Sequence, residues 1–458
     1  MKSALELYDT KARALVAVES DDAQLVRIYC CGPTVYRDAH VGNLRTFLLM
    51  DFIVRALRFQ GLTTKVVQNI TDVGHMSEDF ASEDKMLAEA QRVHRTALDI
   101  AREFEAKFHA DLRALNALPA DIYPRASESI EMMHNLISEL IDRGSAYVGT
   151  DNCVYFSAES FDSYGAISGN RLSDLKPGHR YEYTEDGAKR FHADWALWKA
   201  AGNRTEMVWE SPWGKGFPGW HIECSAMSMH YLDSRVDLHL GGIDLRFPHH
   251  EDERAQSNAA KNNQEVVRSW VHGEHLLFEG RKMSKSAGNV VLLSDLIAKG
   301  LDPLALRLCF LENRYRSQMD LSWDSLKAAD ATLKRWREKV REWAPDGEPD
   351  SHHVEQQCEL IAADINADLD TPRAIQKLRA LEKSSAINGA TKAAIFVAVD
   401  PLFGLEIQRE DTNLLPEGAQ ELLDARAKAR ANKDYAESDR LRDVLTAMGV
   451  AVKDGASS

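Results

Sequence analysis

Leu25-Val26-Arg27-Ile28-Tyr29-Cys30, running into Cys31-Gly32-Pro33-Thr34-Val35-Tyr36-Arg37-Asp38-Ala39-His40-Val41-Gly42-Asn43, is the stretch that decides the fold. The first six residues form a short, mostly apolar run that ends at the turn residues Gly32-Pro33. A helical pattern opens near Val41 and passes through Phe47, Met50, Val54 and Leu57 before Gly61 stops it, and a second strand is expected at Lys65–Ile70. Strand, helix and strand in about 45 residues make a βαβ unit, which implies a parallel sheet and a right-handed crossover. Ligands bind beyond the carboxyl ends of such strands. The helix start offers free amides and positive potential to a phosphate. His40 can hydrogen-bond a phosphoryl oxygen there, and Gly42 leaves room for a flat base. Standing alone, the same two residues are also compatible with an ordinary helix start.

Outward from this unit, residues 85–118 read as a long helix and residues 145–210 as a mixed, aromatic and Gly-punctuated insertion. A second α/β portion resumes over Phe217–Asp244, and Trp270–Leu277 looks like a late strand. Beyond about residue 325 the pattern is wholly helical: Leu326, Ala329, Leu333, Trp336, Val340 and Trp343 form one apolar face. Pro345–Pro349 breaks it, Thr371-Pro372 reads as an N-cap followed by Pro at the first helical position, and Asp411–Pro416 is a further break. The 458 residues, 44% hydrophobic and 28% charged, suit a globular chain of two to four domains and exclude collagen-like, disordered and disulfide-scaffold classes. A net charge of −15 argues against a protein whose whole surface coats nucleic acid, while leaving room for a local basic site. Apolar runs such as Phe47–Met50 are too short to span a bilayer, and Met1–Arg13 has no apolar signal core. The six cysteines lack disulfide spacing, so reduced thiols in a cytoplasmic enzyme, some of them metal ligands, are expected.

No P-loop, nucleophile elbow or dinucleotide fingerprint follows the first strand; Gly214–Gly219 matches the last in letters, but Pro218 and Pro212-Trp213 make it read as a loop. The second positive signal is Lys282-Met283-Ser284-Lys285-Ser286, where two lysines among small hydroxyl residues can clamp a polyphosphate. Paired with His40-Val41-Gly42-Asn43, it resembles the double signature of class I aminoacyl-tRNA synthetases. Many of those enzymes carry a second histidine where this chain has Asn43, whose amide can still donate to a phosphate.

Cys31 and Cys224 are soft ligands, and Pro248-His249-His250-Glu251-Asp252-Glu253 supplies imidazole and carboxylate. On a helix starting at Pro248, His249 and Glu253 share a face at i, i+4, whereas His250 and Glu251 point elsewhere as supporting or ion-pairing groups. Two thiolates, an imidazole and a carboxylate suit zinc, although each residue singly is also compatible with a packed core. The segments Gly219–Met227, Asp237–Glu251, Asn69–Asp72 and Ser211–Gly214 are similar to those of the cysteinyl-tRNA synthetase family, and the resemblance runs nearly the length of the chain.

That resemblance implies an α/β protein: a Rossmann-like parallel-sheet catalytic domain in two halves, 1–125 and 210–280, around a connective insertion, 126–209. A stem-contact segment (281–325), a helical bundle (326–410) and an anticodon-binding domain (411–458) would follow. The implied reaction is ATP-dependent formation of cysteinyl-adenylate and transfer to the 3′ end of tRNA-Cys, with L-cysteine, ATP and tRNA-Cys as partners, Mg²⁺ accompanying ATP, and a cytoplasmic monomer with no membrane. By the same resemblance, His40, Asn43, Lys282 and Lys285 are catalytic and, with Gly42 and Ser284, bind ATP. Thr71, Trp220 and Asp244 meet the substrate, and Cys31, Cys224, His249 and Glu253 hold one Zn²⁺ that reads the substrate thiol. Arg430, Tyr435, Asp439 and Asp454 contact the anticodon, Tyr435 standing where the family typically has Trp, near the basic cluster Arg426, Lys428, Arg430 and Lys433. A further departure follows Asp72, where His75 reads as a loop residue. Two alternatives remain at this point: a ligase joining cysteine to an amino-sugar, and an inactive zinc-containing binding protein.

Overall fold

The computed structural model describes residues 4–22, 24–74, 95–176, 188–283, 288–410, 419–432 and 434–447. A hairpin of β1 (Glu6–Asp9) and β2 (Ala14–Ala17) precedes the expected unit, which is β3 (Leu25–Cys30), α1 (Val41–Phe59) and β4 (Thr63–Gln68). β4 sits two residues earlier than Lys65–Ile70, because its pairing with β3 ends at Cys30 and Gln68, and Ile70 makes only an isolated bridge to Arg125. Within the expected helix at 85–118, α2 spans Ala97–Ala114, while residues 75–94, with His75, lie outside the described residues.

α3 (Ile130–Asp142) leads into the antiparallel sheet β5 (Ala146–Val148), β6 (Val154–Phe156), β7 (Trp195–Ala200) and β8 (Gly216–Pro218). Residues 214–219 are therefore not merely a loop. Gly216 and Gly219 press on the backbone of Lys199 and Ala196, where any Cβ would collide, so the glycines let a short strand add to β7. α4 (Trp220–Tyr231), β9 (Val236–Gly242), a 3₁₀ turn (Ile243–Arg246), α5 (His249–Ala260) and β10 (Val267–Gly273) complete the central layer.

The central sheet has the order β10-β9-β3-β4 and is parallel throughout. After β3 the chain crosses toward β4; after β9 it crosses the other way, toward β10. The crevice between the carboxyl ends of β3 and β9 is thus a topological switch point, the place where such sheets bind ligands. Alternation along β3 sends Ile28 and Cys30 into the core shared with α1, and Tyr29 and Cys31 into the core shared with α3 and α4.

The expected strand Trp270–Leu277 is interrupted. β10 ends at Gly273 and β11 (Leu276–Phe278) starts a separate three-stranded sheet with β12 (Arg281–Lys282) and, after α6 (Leu293–Ala298) and α7 (Pro303–Leu311), β13 (Met319–Leu321). The buried Arg45 of α1 causes the break, donating to the carbonyls of Glu274 at 2.8 Å, His275 at 2.9 Å, Arg314 at 3.0 Å and Ser317 at 2.8 Å. The helical remainder is α8 (Trp323–Trp343), α9 (Ser351–Asn366), α10 (Thr371–Lys383), α11 (Gly389–Phe403), α12 (Ala419–Ala431) and α13 (Tyr435–Ala447). Asp370, not Thr371, is the N-cap of α10; Thr371 is already helical and Pro372 falls in the first turn, where its missing N–H is harmless.

One buried charge cluster ties α1 to the bundle. Asp51 accepts from Arg55 Nε at 2.9 Å, from Arg307 of α7 and from the Leu118 amide at 2.7 Å. Arg55 in turn reaches the carbonyls of Asn116 at 2.6 Å and Pro401 at 3.1 Å, and Arg307 those of Leu115 at 3.1 Å and Phe403. No helix of the described residues is long and apolar enough to cross a membrane.

Candidate active site and metal centre

The start of α1 is built by His40 and Asn43 together. His40 is the N-cap; its Nδ1 accepts from the Asn43 amide at 3.2 Å, and Asn43 Oδ1 accepts from the His40 amide at 3.2 Å. This reciprocal box explains why an asparagine serves in the third position. Because Nδ1 accepts, the neutral ring carries its proton on Nε2, which is then a donor. Burial, helped by Arg37, pushes the His40 pKa down and favours that neutral form. At Gly42 a Cβ would stand 3.0 Å from both His40 Nδ1 and Met283 Cε, so the glycine is needed for close approach.

The same contact joins the two signature segments. Val41 donates its amide to the Val291 carbonyl at 3.0 Å and His40 bridges Leu292, which lays the segment after Lys282 alongside the start of α1. Lys282 is exposed at the end of β12, beyond a two-residue turn whose Glu279 and Gly280 have φ of 49° and 75°. Ser284, Lys285 and Ser286 lie outside the described residues.

At the switch point the four sequence-predicted ligands converge from three elements. Cys31 follows β3, Cys224 is on α4, and His249 and Glu253 are on α5; all four are buried. Cys31 Sγ lies 3.9 Å from Cys224 Sγ and 3.5 Å from Glu253 Oε1, and His249 Nε2 is 3.0 Å from the same Oε1. A tetrahedral zinc with the usual bond lengths separates two sulfurs by about 3.8 Å and a sulfur and an oxygen by about 3.5 Å. The donor set therefore has both the chemistry and the spacing for that ion.

His250 is turned into the cluster, contrary to the expectation that it points elsewhere. Its Nε2 lies 3.3 Å from Cys31 Sγ, because the chain after β3 approaches the first turn of α5 rather than only one of its faces. His239, which sequence reasoning did not single out, also lies 3.5 Å from that sulfur, so that Cys31, His239, His250 and Glu253 form a second, overlapping group able to hold an ion. β9 is buried at every position, so no polar alternation marks His239. The other ring nitrogens distinguish the groups. His249 Nδ1 meets His221 Nδ1 at 2.8 Å, and His221 lies 3.3 Å from Asp252; His250 Nδ1 meets His272 Nε2 at 2.8 Å; His239 Nδ1 is buried and makes no hydrogen bond among the described residues. His221, one turn before Cys224, is a further residue that sequence reasoning missed.

Electrostatics follow from burial. Desolvation pushes His239 down to about 4 and His272 to about 3, keeping both neutral. Burial also raises the Cys31 thiol, with Cys224 and Glu253 adding to the effect. Glu253 is lowered, since His239 and His249 outweigh its desolvation.

Around the cluster, the Trp220 ring lies 4.3 Å from that of His249. Thr71 is buried, donating to Glu223 at 3.1 Å and accepting from Asn69 at 3.0 Å. Asp244 is exposed on the 3₁₀ turn after β9, its Oδ1 close against Gly242. In the C-terminal hairpin Tyr435 is 63% exposed, Arg430 is partly buried and Asp439 pairs with Arg442 at 2.9 Å. Arg426 is buried rather than part of an exposed basic patch, and Lys433 and Asp454 lie outside the described residues.

Residues 17–331 match the family model described as the tRNA synthetases class I (C) catalytic domain, and residues 412–457 that of the cysteinyl-tRNA ligase anticodon binding domain. The chain is 40% identical over 473 residues to a cysteine–tRNA ligase of Thermus thermophilus, covering 98% of this chain and 97% of that one. It is also 40% identical over 456 residues to cysteine–tRNA ligase 1 of Burkholderia lata, covering 98% and 95%. Among solved structures, methionyl-tRNA synthetase of Mycobacterium tuberculosis with methionyl-adenylate aligns with a TM-score of 0.60 at 14% identity, over 83% of this chain and 92% of that one, a likeness of fold. From the switch-point crevice to the matches across nearly its whole length, the chain belongs to the cysteine–tRNA ligase family of class I aminoacyl-tRNA synthetases.

Proposed function

We propose that this chain activates L-cysteine with ATP to cysteinyl-adenylate and pyrophosphate, then transfers the cysteinyl group to the 3′-terminal ribose of tRNA-Cys. The observation that carries the reading is the buried Cys31, Cys224, His249 and Glu253 group at the switch point of a class I fold. Their arrangement fits Zn²⁺, and His249, held through His221, fits better than His239, whose second nitrogen has no hydrogen-bond partner among the described residues. When bound, zinc supplies a Lewis-acid seat for the substrate's sulfur in preference to a hydroxyl, a distinction that pocket shape supports by only about 1–3 kcal/mol.

The chain's own residues do the rest. His40 offers Nε2–H, and Asn43 its side-chain Nδ2–H, at the positive end of α1, where the ATP phosphates would lie over Gly42. Lys282, with Lys285 and Ser284, would balance the charge that develops as pyrophosphate leaves, and Mg²⁺ would accompany ATP. Attack by the cysteine carboxylate needs no general base. Trp220 would wall the amino-acid site beside His249, and Thr71 and Asp244 would meet the amino acid's other polar groups.

The exposed Tyr435 would stack on an anticodon base, with Arg430, Asp439 and Asp454 hydrogen-bonding others. The division into catalytic halves at 1–125 and 210–280, insertion at 126–209, stem-contact segment at 281–325, bundle at 326–410 and anticodon-binding domain at 411–458 belongs to the same reading, as does a monomer acting in the cytoplasm. The match of residues 412–457 to an anticodon-binding domain speaks against an amino-sugar ligase, which has no use for one. Cysteine-dependent ATP–pyrophosphate exchange followed by charging of tRNA-Cys tests the proposal. Both should be positive; exchange without charging would turn the reading to the ligase, and neither to a binding protein.

A further inference from the structure

A polar cavity of about 340 Å³ opens beside β9 and β10, outside the site already described. Its walls come from distant parts of the chain: Arg13 in the turn between β1 and β2, Arg246 on the 3₁₀ turn after β9, Glu274 just beyond β10, and Arg316 before β13. The buried Thr10 and His272 satisfy one another on its floor, Oγ1 to Nδ1 at 2.8 Å. Arg316 is engaged as well: its Nε donates to Asp368 at 2.7 Å, and its guanidinium lies 4.5 Å over the Tyr8 ring. Arg13 and Arg246 differ from it. Neither side chain closes a hydrogen bond or ion pair among the described residues, although the chain has 71 acidic residues against 56 Lys and Arg. The Arg13 backbone is nonetheless fixed, its amide donating to the Asp9 carbonyl at 2.8 Å with φ of 56°.

Two open guanidinia in one small cavity are a receptor for an oxyanion, whose oxygens their planar N–H forks match in pairs. The volume is at the small end of the range for ligand pockets, roughly 300–1,000 Å³, and suits a phosphate with one attached sugar. A base finds no free plate to stack on at Tyr8, since Arg316 already covers a face of that ring. Glu274 refines the choice. Among the described residues its carboxylate is bonded only to the His275 amide, at 2.9 Å. It therefore repels a bare phosphate dianion, but can accept from a sugar hydroxyl beside a singly charged phosphodiester. Position supplies the rest. The cavity lies at the carboxyl ends of β9 and β10, one strand from the crevice between β3 and β9, about 5 Å across the sheet. A nucleic-acid strand whose last ribose reaches that crevice has an earlier phosphate within reach of the cavity.

We propose that this cavity holds one sugar-phosphate unit of the acceptor strand of tRNA, with Arg13 and Arg246 on its phosphate oxygens and Glu274 on a ribose hydroxyl. The inference rests on the aminoacylation reading above and extends it to residues which that reading leaves unassigned. The test compares full-length wild type with Arg246→Gln and Arg13→Gln, in charging of tRNA-Cys and in cysteine-dependent pyrophosphate exchange, which needs no tRNA. Each variant should raise the KM for tRNA-Cys about tenfold and reduce the salt slope of tRNA binding by about 0.7. Exchange should keep its kcat and its KM for cysteine and ATP, which also reports that the variant is folded. Arg13, on an exposed turn, carries the test if Arg246→Gln does not fold. An unmoved KM for tRNA-Cys and an unmoved salt slope, with exchange intact, would overturn the role of the cavity and leave the aminoacylation reading standing. Equal losses in exchange and charging would overturn it too, by placing the arginines in the activation step. Inorganic phosphate added to the exchange assay separates the other source of the same chemistry. Inhibition of wild type that Arg246→Gln relieves, with tRNA binding unmoved, would assign a free anion and overturn the RNA strand. Wild type that exchanges pyrophosphate but never charges tRNA-Cys would overturn both readings.

Discussion

Asp51, Arg55 and Arg307 are buried, as are Cys31, Cys224, His249 and Glu253, yet the two clusters are completed differently. At Asp51 the chain answers its own charges: two guanidinia and the Leu118 amide meet the carboxylate, and the remaining guanidinium N–H groups reach the carbonyls of residues 115, 116, 401 and 403. At Cys31 four ligand-type atoms crowd one sulfur within 3.3–3.9 Å, while Glu253 Oε2 and His239 Nδ1 are buried without a hydrogen bond among the described residues. A buried cluster closed by its own chain is structure. One that packs thiol, imidazole and carboxylate atoms around a common point has the make-up of a metal site.

The difference can be broken from either side. Arg307→Met leaves a buried carboxylate with half its cationic support, and unfolding in denaturant should show a loss of about 3–5 kcal/mol with zinc content per folded chain unchanged. Zinc loss in that variant would mean that the two clusters are not independent. Cys224→Ser should do the reverse. Zinc content falls, cysteine-dependent pyrophosphate exchange drops by about 100-fold, equivalent to about 2.7 kcal/mol, and cysteine loses its advantage over serine. Full zinc with an unchanged cysteine preference would remove Cys224 from the site. His221→Phe sharpens the contrast, since it leaves all four ligands but frees His249; a zinc competition assay should read an affinity about 10–100-fold weaker. Unaltered affinity would reassign His221 to packing.

A third cluster, at the surface, sets the lower end of the scale. Burial tends to raise the Glu265 carboxyl, but hydrogen bonds from Arg254, Lys11 and Asn258 outweigh it and hold it down at about 2. The folded value is depressed, so the stabilisation is present above an unfolded value of about 4.3 and is lost as pH falls toward 2. Its side chain is 38% exposed, so screening leaves less than about 1 kcal/mol. The stabilities of wild type and Glu265→Gln, measured against pH, should converge over that window; a constant gap would mean that the ion pairs carry no weight.

What the residues made legible follows the same physics. Periodicity was strong over Val41–Phe59 and Trp323–Trp343, and the pattern opening near Val41 marked where α1 begins, while the His40–Asn43 box that caps it emerged only from the structure. It was weak where strands have three or four residues, as in β1, β2 and β8, which exist because neighbouring strands hold them. Helical spacing correctly brought together His249 and Glu253 but misplaced His250, whose partner comes from β3, more than two hundred residues earlier in the chain. No local pattern reports such an approach.

The central claim is that the cluster of Cys31, Cys224, His249 and Glu253 holds a zinc ion that meets the substrate's sulfur directly. X-ray absorption at the zinc edge of the purified enzyme, without and with L-cysteine, tests it most directly. The account predicts two sulfur neighbours at about 2.3 Å rising to three on addition of cysteine, with serine leaving the count at two. Absence of zinc, or a sulfur count that cysteine does not change, would contradict it.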